Sequence, residues 1–181
     1  NAVPVINAMH ILRGEPFMYF FADDFYTGDV SYVQQLQDSY NQTGKSVVCL
    51  REIGSDDTSR YGVVSVAEDR GDGLYRINGY HEKPGPEKAP SRLACVCGYL
   101  LTPDFLDYLT MERISPRGEV EMAEALHLYA QAGEIYGKVI QGDYHDTGSP
   151  ELYLETIVDM ALRDEKYADN FRAYLADRLT R

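Results

Sequence analysis

Helical and strand-like patterns alternate along the first part of the chain, and this alternation limits the fold more than any other sequence feature. Val3–Leu12 has the apolar spacing of a helix, and the run EPFMYFFAD is typical of a buried strand. A second helix is predicted from Asp29, as its N-cap, to Gly44, as its stop, before the β-branched run KSVVCLREI. Such alternation predicts a parallel α/β sheet, in which ligands bind at the carboxyl ends of the strands.

The remaining segments predict a hairpin, two more strands and further helices. RYGVVSVAED and LYRINGYHEKP are predicted as short strands around a Gly-Asp-Gly turn. After a proline-rich loop, RLACVCGYLLT is predicted as a strand and Pro103 begins a helix. GEVEMAEALHLYAQAG is another helix that ends at Gly133, KVIQGDYHDTGSP is a strand followed by a turn, and Pro150 opens a long terminal helix. Since no internal repeat or linker divides the sequence, we predict one α/β domain over residues 1–181, with a mixed, mainly parallel sheet flanked by helices.

Composition and charge exclude several classes of function. The net charge is −12 and no cluster of Lys and Arg is present, so nucleic acid is not expected as a partner. The negative net charge is compatible with a single phosphorylated ligand, because one lysine and a cation can bind such a ligand whatever the total charge of the chain. No apolar run approaches the ~20 residues that span a bilayer, so no membrane partner is expected. Cys49, Cys95 and Cys97 lie in apolar runs, which predicts buried free thiols and a reducing, cytoplasmic location.

Acidic side chains follow two of the predicted strands. Asp23 and Asp24 come at the end of the aromatic run, and Asp146 precedes a glycine turn in YHDTGSP. Adjacent acids at a strand end are often only a solvated turn or a helix cap. Two carboxylates from separate strand ends can nevertheless share one Mg²⁺, which prefers oxygen ligands and often completes its shell with substrate phosphates. The spacing alone does not show that Asp23 and Asp146 meet.

Glu82 and Lys83, in HEKPGP, are a second candidate pair, with a surface charge pair as the alternative interpretation. Neighbours in an extended segment point to opposite sides, so both can face one ligand only where the strand ends or the ligand wraps around it. The sequence has no G-x-S-x-G elbow, no histidine metal motif and no glycine loop between a strand and a helix.

Several of these motifs occur together and in order: RYGVV, HEKPGPEKAPS, GYLLTPDFLDYL, GEVEMAEAL and DYHDTGSPELYLETI. As a set, the chain resembles the bacterial UTP:glucose-1-phosphate uridylyltransferases of the sugar nucleotidyltransferase superfamily over nearly its whole length. The resemblance implies a Rossmann-like fold and a cytoplasmic, homo-oligomeric parent enzyme. It also implies that glucose 1-phosphate attacks the α-phosphate of UTP, giving UDP-glucose and pyrophosphate, while Mg²⁺ and cationic side chains offset the charge that develops.

The same resemblance implies a role for each candidate residue. Asp23 and Asp146 look like the family's metal ligands, whereas Asp24 is expected only to shape the turn. Glu82 is similar to the acid that hydrogen-bonds the glucose hydroxyls, and Lys83 to the lysine that pairs with the sugar phosphate. The residues expected to be catalytic are therefore Asp23, Lys83 and Asp146.

Two glycines and one departure complete the comparison with the family. Gly62 and Gly98 resemble glycines that let the backbone approach the sugar, where any Cβ would intrude. In GEVEMAEA, Ala123 and Glu124 replace the expected Thr and Asp, which puts any contact of that pair in doubt.

The start of the chain, at Asn1 in place of Met, indicates a cut inside a longer protein. The family's glycine-rich loop, its lysine and its base-contacting segment would precede this point. We therefore expect the sugar- and metal-binding part of an enzyme, inactive alone and ordered only by pairing with another copy or by rearrangement near Asn1. Two alternatives stay open: a thymidylyl- or other nucleotidyltransferase, and a non-catalytic sugar-phosphate-binding or assembly module.

Overall fold

The computed structural model describes residues 2–12, 14–109, 122–133 and 135–180, which form two β-sheets with helices packed around them. Short 3₁₀ helices span Asp56–Ser59 and Pro103–Tyr108. The other elements, in chain order, are α1 (Val3–Leu12), β1 (Phe17–Phe20), β2 (Asp24–Thr27), α2 (Tyr32–Thr43), β3 (Ser46–Glu52), β4 (Val63–Asp69), β5 (Leu74–His81), β6 (Leu93–Leu101), α3 (Met122–Gln131), β7 (Ile135–Val139), β8 (Asp143–Asp146), α4 (Pro150–Arg163) and α5 (Ala168–Leu179).

The larger sheet has six strands in the order β1-β6-β3-β7-β5-β4, and β2 pairs with β8 in a separate two-stranded ribbon. The mixed α/β class is confirmed, but the expected excess of parallel pairs is not seen among the described strands. β3 and β7 are parallel there, and the other pairs are antiparallel. The reason is that β6 enters from the proline-rich loop and not from a crossover helix, so it runs in the reverse direction between β1 and β3. β1, β3 and β7 still run the same way, so the ends of β1 and β7 reach one edge.

The aromatic run that opens the sheet differs from its prediction. β1 has four residues, is only partly buried, and leaves 42% of Phe20 exposed. It pairs with β6 on one side, and no second strand partner occurs within the described residues, so the strand is not enclosed as the continuous apolar pattern suggested.

Most of the predicted helix and turn boundaries are confirmed. Gly44 ends α2 in the left-handed conformation, with φ 65°, and the antiparallel β4–β5 hairpin turns at Gly-Asp-Gly. Asp29 is not the N-cap of α2, because the Ser31 hydroxyl accepts the Gln34 N–H at 3.1 Å. The segment after Pro103 is a short 3₁₀ helix. Residues 118–121, at the start of the helix predicted to end at Gly133, lie outside the described residues.

The sheet separates two apolar clusters. One lies under α1 and α3 and includes Tyr99, Phe105 and Tyr129; the other lies under α2 and includes Leu36 and Val63. All nine residues of β6 are buried between them. The three cysteines are buried and free, as predicted. No helix in the described ranges is long and apolar enough to cross a membrane.

Candidate functional site

A bulge in β6 builds one wall of the candidate site. Pairing with β3 shifts from Val48↔Tyr99 to Leu50↔Cys95, so β6 accommodates extra residues around Cys97. Cys97 takes the left-handed conformation with φ 58°, which is unusual for a residue with a side chain. The Cys97 carbonyl accepts the Phe21 N–H at 2.7 Å. Bulges of this kind redirect the backbone and are common beside active sites.

The bulge also holds the carboxylate of Asp24. Asp24 Oδ2 accepts the Cys97 N–H at 2.7 Å and the Tyr144 hydroxyl at 3.0 Å. Asp24 Oδ1 is buried and has no hydrogen-bond partner among the described residues. Burial raises the pKa of this carboxyl group, and the two hydrogen bonds to Oδ2 oppose that shift. Asp24 is the first residue of β2 and ties that strand to the sheet, a role different from the turn expected from the sequence.

Asp23 and Asp146 are brought together by the β2–β8 ribbon. Asp24 lies opposite Asp146 in the ladder, and the Thr147 N–H and hydroxyl donate to the Asp23 carbonyl at 2.6 and 2.8 Å. A Cβ placed on Gly148 would lie 3.0 Å from Asp146 Oδ1 and 3.4 Å from Asp23 Oδ2. The separation of these two oxygens therefore cannot exceed the sum of those distances. Both carboxylates border the space beside Gly148 that a side chain would fill.

Asp146 is held from three directions. Its Oδ1 accepts the Gly148 N–H at 2.8 Å, and its Oδ2 accepts the Tyr61 hydroxyl at 2.9 Å. The guanidinium of Arg60 lies 4.0 Å from Oδ2. Burial is the main cause that raises the pKa of Tyr61, so the hydroxyl remains protonated and can donate. The carboxylate of Asp23 is exposed and accepts no hydrogen bond from the described residues.

This donor set fits a hard cation that is only partly held by protein. No group of three or more His, Cys, Asp or Glu side chains in the described part of the chain could hold a metal. Mg²⁺ commonly uses one or two carboxylates and takes its other oxygens from water and substrate phosphates. Asp23 and Asp146 match that pattern, with free lone pairs beside an open space.

Glu82 and Lys83 lie just beyond β5, on the other side of Gly62. Lys83 has φ 47°, a left-handed conformation that ends the extended geometry of the strand. Its Nζ lies 3.7 Å from Glu82 Oε1, so both side chains point the same way. The Tyr80 hydroxyl donates to Glu82 Oε2 at 2.9 Å. The turn at Lys83 removes the objection that sequence neighbours in a strand face opposite sides.

The protein's own atoms occupy the space beside both predicted glycines. A Cβ on Gly62 would lie 1.9 Å from the Tyr80 hydroxyl, and one on Gly98 would lie 2.3 Å from the Tyr19 carbonyl oxygen. Packing within the chain therefore explains both glycines without reference to a sugar.

A continuous path joins the two groups of candidate residues. The Tyr61 hydroxyl donates to Asp146, and Gly62 follows Tyr61 in the chain. The ring of Tyr80 contacts Gly62, and its hydroxyl donates to Glu82. Sequence reasoning identified the glycine of this path but missed the two tyrosines. The Tyr-Gly pair in RYGVV was the available signal, although nothing in it shows where a hydroxyl points.

Known proteins resemble this chain in sequence and in structure. The family model described as nucleotidyl transferase matches residues 1–162. The chain belongs to the nucleotidyl transferase family. It is 32% identical over 171 residues to the UTP–glucose-1-phosphate uridylyltransferase 2 of Staphylococcus saprophyticus, covering 94% of this chain and 59% of that protein. The UTP–glucose-1-phosphate uridylyltransferase of Staphylococcus epidermidis is 30% identical over 168 residues, covering 93% and 58%.

Two solved structures share the fold of this chain. A UDP-glucose pyrophosphorylase complexed with UDP-glucose matches with a TM-score of 0.78 and 31% identity, over 83% of this chain and 58% of that one. A UTP-bound enzyme from Acinetobacter baumannii has a TM-score of 0.82 over 95% and 60% of the two chains; at 21% identity it supports the fold alone. The nucleotidyl transferase chain described here thus spans less than two thirds of the relatives that it matches.

Proposed function

We propose that this chain is the sugar-phosphate- and metal-binding part of a UTP:glucose-1-phosphate uridylyltransferase, the enzyme that forms UDP-glucose and pyrophosphate. The observation that carries the proposal is the convergence of Asp23 and Asp146 beside Gly148, connected through Tyr61 to Glu82 and Lys83. The names of the relatives give the substrates, UTP and glucose 1-phosphate.

The proposed reaction needs no covalent enzyme intermediate. The phosphate oxygen of glucose 1-phosphate forms a bond to the α-phosphorus of UTP. The bond from the α-phosphorus to the oxygen that joins it to the β-phosphorus breaks, and pyrophosphate leaves with that oxygen and the electron pair. Catalysis is then positioning together with charge stabilisation.

Each candidate residue has a role in that scheme. Lys83 pairs with the sugar phosphate, and Glu82 accepts hydrogen bonds from glucose hydroxyls. Asp23 and Asp146 would hold Mg²⁺, which when bound offsets the negative charge of the phosphate oxygens. Without such a cation the crowded carboxylates would repel the triphosphate, because like charges disfavour each other most where water is partly excluded.

The test is an assay of the natural protein that contains this chain, with glucose 1-phosphate and UTP, dTTP, ATP or GTP in separate reactions. The proposal expects UDP-glucose and pyrophosphate from UTP with the highest kcat/KM. A preference for dTTP would identify a thymidylyltransferase instead. Binding of glucose 1-phosphate without turnover of any nucleotide would identify a non-catalytic module.

Replacing the candidate phosphate-binding lysine gives a direct check. In the natural protein, we expect Lys83→Ala to raise the KM for glucose 1-phosphate and to lower kcat, together at least tenfold in kcat/KM, because a charge-assisted bond to phosphate contributes roughly 1.5–3 kcal/mol. The matched control is Lys88→Ala in the same loop. Equal kinetics for Lys83→Ala and the unaltered protein would return Lys83 to the role of a surface charge.

We also propose that residues 1–181 form a single domain, that the protein is a homo-oligomer and that it is located in the cytoplasm. Buried free thiols support a reducing compartment. Association is supported by apolar side chains on α4, where Tyr153, Leu154 and Ile157 are 51%, 63% and 43% exposed. Light scattering over a dilution series measures the association directly.

A further inference from the structure

Two tyrosine hydroxyls beside Gly62 each donate to a different candidate acid. The Tyr61 hydroxyl donates to Asp146 Oδ2 at 2.9 Å, and the Tyr80 hydroxyl donates to Glu82 Oε2, also at 2.9 Å. Tyr61 is the chain neighbour of Gly62, and the hydroxyl and ring of Tyr80 fill the space that a Cβ on Gly62 would need. The two donors are therefore fixed relative to one backbone position.

The Gly148 N–H donates to the other oxygen of Asp146, Oδ1, at 2.8 Å, and the cationic side chains hold the two carboxylates less closely than the tyrosines do. Arg60 reaches Asp146 at 4.0 Å from a side chain that is half exposed, and Lys83 reaches Glu82 at 3.7 Å. Exposed ion pairs at such distances contribute little to holding one geometry, because solvent screens them and both side chains lose rotamer freedom. The shorter tyrosine bonds are directional and come from rings that are themselves partly buried.

We propose that Tyr61 and Tyr80 are separate positioning residues, Tyr61 for the metal-side carboxylate of Asp146 and Tyr80 for the sugar-side carboxylate of Glu82. The inference rests on the proposed function for the identity of the two ligands. A hydroxyl that selects one carboxylate orientation lowers the cost of arranging the site when a ligand binds. Gly62 sets the spacing between the two halves, because any larger residue would displace Tyr80.

The experiment compares Tyr61→Phe and Tyr80→Phe, each of which removes one hydroxyl and keeps the ring. Tyr153→Phe is the matched control, since Tyr153 is exposed on α4 and its hydroxyl forms no hydrogen bond with the described residues. Binding of Mn²⁺ to the natural protein that contains this chain is measured by electron paramagnetic resonance. Binding of glucose 1-phosphate is measured by NMR titration, and the unfolding midpoint is recorded for every variant.

A crossed pattern is expected. Tyr61→Phe weakens Mn²⁺ binding about tenfold, as loss of an outer partner of a metal ligand commonly does, and leaves glucose 1-phosphate binding unchanged. Tyr80→Phe weakens glucose 1-phosphate binding about three- to tenfold and leaves Mn²⁺ binding unchanged. Tyr153→Phe changes neither.

A double-mutant cycle keeps the test decisive if one variant also loses stability. In an Asp146→Asn background, Tyr61→Phe should cause less than a twofold further change in Mn²⁺ binding, because the two side chains act through one contact. Additive losses would overturn the coupling.

Other outcomes would also overturn the inference. Equal losses of both ligands in both variants would indicate a purely structural role, and unchanged binding in both would exclude positioning. Absence of Mn²⁺ and glucose 1-phosphate binding by the unaltered natural protein would overturn it as well. Failure of the proposed function is distinguishable: the crossed pattern in a protein that forms no nucleotide sugar supports the two tyrosines but not the uridylyltransferase.

Discussion

Asp146→Asn is expected to lower the kcat for UDP-glucose formation by about 100-fold or more in the natural protein that contains this chain. The substitution keeps the volume of the side chain and removes the negative charge that, with Asp23, faces the space beside Gly148. Loss of one preorganised charged group at a phosphoryl-transfer site typically has an effect of this size. The measurement is pyrophosphate release over a series of Mg²⁺ concentrations, where the variant should also need more Mg²⁺ for half its maximal rate.

The control for this prediction lies on the same strand. Asp143 is at the other end of β8 and pairs with Arg163 on the surface, so Asp143→Asn should change the rate less than twofold. Similar losses in Asp143→Asn and Asp146→Asn would show that the effect comes from β8 as a whole. An Asp146→Asn enzyme with normal rate and normal Mg²⁺ dependence would exclude Asp146 as a ligand.

Gly98→Ala is expected to reduce the free energy of unfolding by about 3 kcal/mol, which is in the range of forced overpacking in a core. The added Cβ would lie 2.3 Å from the Tyr19 carbonyl oxygen and 3.1 Å from Phe20 Cα. These are backbone atoms of β1, and Phe20 is the ladder partner of Gly98, so β1 cannot retreat without breaking its pairing with β6. Urea unfolding followed by circular dichroism measures the change.

Gly54→Ala is the matched control, because a Cβ there would meet only Asp57 Oδ2 at 3.4 Å, an ordinary contact. It should change stability by less than about 0.5 kcal/mol, as surface substitutions usually do. If Gly98→Ala proved as stable as the unaltered chain but lost glucose 1-phosphate binding, approach of the sugar would explain this glycine better than packing does.

Features set by short-range chemistry were predictable from the sequence. Gly44 ends α2 because glycine adopts the left-handed conformation without steric cost. The Gly-Asp-Gly turn joins β4 and β5 because its residues permit positive φ, as Gly71 and Gly73 do. The apolar spacing of Val3–Leu12 likewise needed no distant contact to predict α1.

The N-cap of α2, predicted at Asp29 and found at Ser31, shows where local prediction begins to fail. Both residue types can cap a helix, so the sequence pattern allowed either start. Which side chain reaches the orphan N–H groups depends on the path of the chain as it leaves β2, and Ser31 reaches the Gln34 N–H.

The direction of β6 was decided by tertiary structure alone. A continuous apolar run predicts a buried strand, but it carries no information about which strands flank it or in which sense they run. The bulge at Cys97 depends on contacts with Phe21 and Asp24, which are more than seventy positions away in the sequence.

The candidate site combines both kinds of information. The candidate residues were found from the sequence alone, because Asp23, Glu82, Lys83 and Asp146 are recognisable by type and by motif. Their arrangement in one site depends on the tertiary structure. The β2–β8 ribbon brings the two aspartates together, and the left-handed turn at Lys83 puts its side chain beside that of Glu82. The periodicity of a sequence depends on residues a few positions apart. These contacts join distant segments through strand pairing and single hydrogen bonds, so no local pattern predicts them.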